Sequence, residues 1–211
     1  MAAALRAVPA TYARFARVAV VVAVIAYAAL TVRRTFVWSS AVTLWAEAAS
    51  QAPSMWEPHY ALADALREAD ACERAVPEYE TVVRLRPRHR DAQLNMGICL
   101  AETGRSADAE RAFRRAAAID PTSPRPYTNL GALAIVEGQP ERARDAYLSA
   151  LRVDPQNVLA RMQLAALYEH TFHDYRAAAQ MCGEARAIAP FTPGVDDCAE
   201  RNWRRVPGGG R

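Results

Sequence analysis

The chain has 211 residues, 52% of them hydrophobic, with 26 basic against 23 acidic side chains and a formal net charge of +3. Its basic residues are all arginine, in runs no longer than a pair, which excludes the basic footprint of a nucleic-acid partner. The sequence holds no glycine-rich phosphate loop, no CxxC pair and no Ser, His and Asp set in a strand-turn-helix context, so no catalytic residue, cofactor or metal is assigned and the chain reads as a non-enzyme.

Residues 1–17 are a basic segment carrying Arg6, Arg14 and Arg17. Val18 to Val32, VAVVVAVIAYAALTV, is free of charge and closed by Arg33 and Arg34. As a helix its 15 residues span roughly 22 Å, short of a bilayer core of about 30 Å. Snorkelling of Arg17 and interfacial seating of Tyr12, Phe15, Phe36 and Trp38 supply the missing length. Residues 18–34 are thus expected to form a single-pass anchor, and three arginines before the run against two after it place the remainder on the exported face. The same run fits a cleaved signal, with Ala26-Tyr27-Ala28 as a small-x-small site, and also an apolar helix buried in protein.

From here a period takes over. Pro53, Pro87, Pro121, Pro155 and Pro190 are spaced by 34, 34, 34 and 35 residues, and Gly97 and Gly131, Gly104 and Gly138, Ala109 and Ala143, Phe113 and Tyr147, and Ala116 and Ala150 keep the same step. Such a period is the mark of a helical solenoid. Small residues at one helix crossing and aromatics facing them let two antiparallel helices close-pack, and proline ends the second. Residues 38–53 fit a half repeat, with Ala41, Trp45 and Ala48 in second-helix positions. Four full units fill 56–192, at about 56–89, 90–123, 124–157 and 158–192, the last with one extra residue near Phe172 to Tyr175. Residues 193–206 form a capping helix after Thr192-Pro193, with Val195, Cys198, Ala199 and Trp203 on its apolar face, and 207–211 form a disordered tail.

These landmarks resemble the tetratricopeptide repeat (TPR) family. The resemblance implies an all-α, right-handed TPR solenoid of about four and a half helix-turn-helix repeats, preceded by one hydrophobic helix and closed by a cap. It also implies a concave groove lined by the first helix of each unit, where a peptide or protein partner binds. On the family's groove positions fall Glu57, Tyr60, Asp64 and Glu68; Asp91, Leu94, Asn95, Ile98 and Glu102; Thr128, Asn129, Ala132 and Ile135; and Leu159, Met162, Gln163 and Ala166, with Arg67, Arg125, Val136 and Glu169 beside them. The strip grades from acidic to apolar and suits a peptide with a basic end and a greasy end. Asn95, Asn129 and Gln163 share one position and could form an amide ladder, or could simply hold helix contacts. Tyr60, Leu94, Thr128 and Met162 stand where a chaperone-tail clamp needs lysine, which excludes that partner.

The junction Arg34-Thr35, Trp38 and Leu44-Trp45 resembles the last membrane helix and first repeats of polytopic O-mannosyltransferase-like glycosyltransferases. That resemblance implies a second reading, a repeat portion or accessory subunit working beside a polytopic membrane protein. Cys72 with Cys99 and Cys182 with Cys198 are candidate disulfide pairs across adjoining helices; four buried free thiols are the alternative. His170, His173 and Asp174 are taken as turn residues rather than ligands, and His59 and His89 as surface residues.

Overall fold

A computed structural model describes residues 19, 21–29, 31–32, 40–191 and 193–206. The basic segment, Arg34, Thr35 and Trp38 of the junction, Thr192 and the tail at 207–211 lie outside the described residues. Among the described residues there is no strand. Residues 21–29 are helical, and no described helix is long and apolar enough to cross a membrane.

Ten further helices follow: α1 (Ala41–Gln51), α2 (Trp56–Glu68), α3 (Cys72–Leu85), α4 (Arg90–Glu102), α5 (Ser106–Ile119), α6 (Arg125–Val136), α7 (Pro140–Val153), α8 (Val158–His170), α9 (Tyr175–Ile188) and α10 (Val195–Arg205). Each packs on the one before it, while α2 also touches α4 and α4 touches α6, so the first helices form an inner layer. Second helices end alike: Ala52, Arg86, Asp120, Asp154 and Ala189 are C-caps, each followed directly by a period proline. Proline has no N–H to continue the ladder and biases the residue before it away from helix.

The turn inside each unit needs one left-handed residue. Gly104 (φ 76°) and Gly138 (φ 68°) supply it without steric cost, and Asp70 and His173 (both φ 54°) take the same place in the first and last units. Three residues connect the helices in the first three units, and four, 171–174, do so in the last.

Packing rests on one crossing per unit. A Cβ on Gly97 would lie 2.6 Å from Phe113 Cε1, and one on Gly131 would lie 2.5 Å from Tyr147 Cε1. One period earlier Ala63 and Tyr79 are both fully buried, and in the last unit Ala165 faces Cys182, both fully buried. The cap differs in detail from its sequence reading. Gly194 (φ 81°) is its N-cap, leaving Pro193 outside the helix, and Asn202 takes the buried position while Trp203 stays 53% exposed. With 3.6 residues per turn the stripe through Val195, Cys198 and Ala199 continues to Asn202 and reaches Val206.

Candidate binding groove

The inner layer presents the family's groove positions unequally. Glu57, Glu68, Glu102, Ala132, Leu159, Gln163 and Ala166 are exposed, as is Ile135. Tyr60, Asp64, Asp91, Ile98, Thr128, Asn129 and Met162 are half-buried. Leu94 is 1% exposed and belongs to the core, a correction to its place in the groove: α4 is wedged between the second helix of one unit and that of the next, so its apolar residues face inward on more than one side. Asn95 is buried too, so the three amides form no uniform open ladder.

Asn95 instead joins a polar knot between α2, α3 and α4. Its Nδ2 donates to Asp64 Oδ1 at 2.9 Å, and the Tyr79 hydroxyl donates to the same oxygen at 2.5 Å. Burial, then the Asp64 charge, pushes Tyr60 up to about 12; burial, then the hydrogen bond to Asp64, raises Tyr79. Both phenols therefore stay neutral, Tyr79 as a donor to Asp64 and Tyr60 as an acceptor from Asn95 Nδ2 at 3.4 Å. His89, expected on the surface, accepts from Ala92 N to cap α4 and packs against Trp56 and Tyr60, with ring centroids 4.8 and 4.6 Å away. Burial and the Arg86 charge lower its pKa, which keeps that nitrogen an acceptor. His59 is likewise inside, its Nδ1 2.6 Å from Glu78 Oε2. The acidic end of the strip is partly neutralised, because Asp91 is held by Arg90 and Arg125 and Asp64 lies 3.7 Å from Arg67. Glu57 and Glu68 remain its exposed carboxylates.

Cys72 and Cys99 are paired across α3 and α4 with Cα atoms 4.9 Å apart, and Cys182 and Cys198 across α9 and α10 at 5.9 Å. Cys72, Cys99 and Glu102 are the described residues whose ligand atoms cluster, within 4.8 Å, but sulfurs joined to each other are not thiolates and cannot ligate. Asp174 caps α9 by accepting from Ala177 N. Glu169, placed in the groove by its family position, is a buried carboxylate facing the cap. It accepts from Arg201 at 2.9 and 3.0 Å, from Asn202 Nδ2 at 2.9 Å and from Arg205 at 3.1 Å. The Arg201 hydrogen bonds, with Asn202 and the Arg201 charge adding, hold its carboxyl down at about 2. Sequence reading missed this clamp; a glutamate at the end of a first helix facing an arginine pair in the cap was its signal.

Paired helices stacked in register, with an open inner strip and no enclosed reactive cluster among the described residues, define a repeat scaffold. A tetratricopeptide repeat model matches residues 60–124 and 128–193, more than half of the sequence, and the chain belongs to the tetratricopeptide repeat family. Anaphase-promoting complex subunit 3 of Schizosaccharomyces pombe is 29% identical over 118 residues, 56% of this chain and 18% of that protein. Mouse protein O-mannosyl-transferase TMTC3 is 28% identical over 94 residues, 44% of this chain and 10% of that one. The chain thus spans less than a fifth of the length of these relatives. Among solved structures, YrrB, a TPR protein with an unusual peptide-binding site, superposes with a TM-score of 0.58 at 16% identity over 76% of this chain and 82% of that one.

Proposed function

We propose that the chain is a non-catalytic scaffold that holds a peptide or protein segment along the inner face of α2, α4, α6 and α8. The observation that carries this is the apolar surface left open on the first helices of a folded array: Ile135 is 44% exposed, Val136 83% and Leu159 60%. Exposed apolar side chains rimmed by charge mark recognition surfaces. Glu57 and Glu68 at the other end favour a basic residue, so the ligand class is a peptide with separate basic and apolar ends. YrrB, a TPR protein with an unusual peptide-binding site, has the same fold and supports this reading.

The test is selection of binders from a random peptide phage library on the full chain, followed by titration of the enriched peptides. Ile135→Asp with Leu159→Asp should weaken binding at least tenfold with the melting temperature unchanged. Undiminished binding would move the site to the outer face.

A tether completes the proposal. Residues 18–34 anchor the array in a membrane with the repeats on the exported side, where both cysteine pairs are oxidised. Support comes from Val21, Val22, Val24, Ile25 and Tyr27, apolar side chains 55–74% exposed on one helical stretch. Carbonate extraction of membranes tests it; release into the supernatant would sink the tether. The similarity to TMTC3 favours a second reading, in which the array serves a polytopic glycosyltransferase as its repeat portion. Crosslinking in native membranes to a many-span protein, or recovery of these repeats within a longer polypeptide, would select it.

A further inference from the structure

In every complete unit three second-helix positions are sealed, and the middle one closes over the small residue of that unit's own first helix where Phe113 meets Gly97 and Tyr147 meets Gly131. Ala75, Tyr79 and Val82 are 0% exposed; Ala109, Phe113 and Ala116 are at most 2%, as are Ala143, Tyr147 and Ala150; Ala178, Cys182 and Ala185 are 0%. One period before Tyr79, α1 carries the same pattern as Ala41, Trp45 and Ala48, yet Ala41 is exposed, Trp45 is 37% exposed and Ala48 is half-buried. Only Ala49 of α1 is buried, against its neighbour α2. Helix α1 is therefore a second helix on whose face no first helix packs among the described residues.

The 34-residue register names a candidate within the chain. One period before His59, Leu62, Ala63 and Leu66 stand Ile25, Ala28, Ala29 and Val32. Ala29 falls at the crossing occupied by Ala63, Gly97, Gly131 and Ala165, and at the two glycines only a small residue fits beneath the facing ring. The stretch is already helical at 21–29 and stands open in the structure, as does the face of α1. Eight residues, 33–40, join them, a reach of up to about 26 Å, which holds the helix at high effective concentration near α1.

We propose that the helical stretch carrying residues 21–29, 31 and 32 is the first helix of a fifth repeat and docks on α1 with Ala29 beneath Trp45. Docking and bilayer insertion use the same side chains, so they are alternative states of one segment, docked on α1 or withdrawn from it, and the open stretch in the structure is the withdrawn one. The inference rests on the repeat character of α1 and stands whether or not the tether does.

The test uses the full-length chain with Trp45→p-benzoylphenylalanine, irradiated in lipid-free buffer and in phosphatidylcholine liposomes, with the adducts mapped by mass spectrometry. Lipid-free chain should give intrachain adducts within 21–32, reduced at least fivefold by Ala29→Phe and kept by Tyr27→Phe on the opposite face. Adducts between chains, elsewhere in the chain or to nothing would overturn it. In liposomes the adducts should disappear from the carbonate-resistant fraction. Their persistence there would refute the exclusion of one state by the other, whereas a chain that never resists carbonate fails the tether and leaves docking standing. Hydrogen exchange on chains without the photoprobe guards against misfolding: amides 41–48 should exchange at least tenfold faster in Ala29→Phe than in the unsubstituted chain, and equal rates would count against docking.

Discussion

Gly131 sits where a Cβ of its own would lie 2.5 Å from the Tyr147 ring, and Glu169 where a buried carboxylate meets the cap. The step from Gly97 to Gly131 and from Phe113 to Tyr147 is one period, so the crossing was readable from spacing alone, and the structure gives it a distance. Gly131→Leu should cost roughly 1–3 kcal/mol by overpacking, seen as a lower thermal midpoint by circular dichroism, and adding Tyr147→Ala should recover part of the loss. An unchanged midpoint would mean that the ring swings aside freely. Glu169 had no periodic signal, because its partners Arg201, Asn202 and Arg205 lie on a cap outside the repeat. Its pKa is depressed in the folded state, so its contribution is complete above the ordinary value of about 4.5 and is lost as pH falls through about 2. Between those limits Glu169→Gln should flatten the acid loss of stability, measured as urea midpoints at successive pH values; parallel curves would show that the clamp contributes nothing. The Asp64 knot was hidden for a related reason: Asn95 lies 31 residues away, which is contact across a unit boundary and not a repeat step.

At the scale of elements, helix bounds followed directly from proline and turn positions, whereas faces were harder. The cap's apolar stripe was drawn through Trp203, but one residue of ambiguity in an 11-residue helix, about 100° of rotation, is enough to exchange it with Asn202. Leu94 was assigned outward by family position although α4 is enclosed by neighbours on both sides, which no period records. Helix α10 is held by the Glu169 clamp and by Cys198. A closed loop the size of that between Cys182 and Cys198, 16 apart, restricts the unfolded chain by about 3 kcal/mol. Peptide mapping without reductant should recover 72 with 99 and 182 with 198. Cys182→Ser with Cys198→Ser should then make residues 189–206 the first site of limited proteolysis. Cleavage elsewhere at the same rate as in the unsubstituted chain would place the cap's stability in the Glu169 clamp alone.

For the whole molecule, the array was readable as four units and a half because each landmark is a physical requirement met once per repeat: small residue, facing ring, left-handed turn, proline stop. The groove was readable only as a set of positions. Charge pairing decides which of them meet a ligand, and Arg90, Arg125 and Arg67 cancel carboxylates that composition counted as free. Binding of a basic peptide should accordingly show a shallow salt dependence, since few unpaired acids face it; a steep fall in affinity between low and physiological salt would show that Asp64 and Asp91 open to the ligand. Neighbouring units share only nearest-neighbour interfaces, so damage in the middle divides the array while damage at an end shortens it.

Where three units place an aromatic ring over their small residue, the last places Cys182, bonded onward to α10. Grafting further consensus units after α10 would require this sulfur to be released and a ring restored at position 182. Duplicating a unit between α5 and α6 would require neither. The array is thus regular through its middle and departs from the repeat where Cys182 ties α9 to α10.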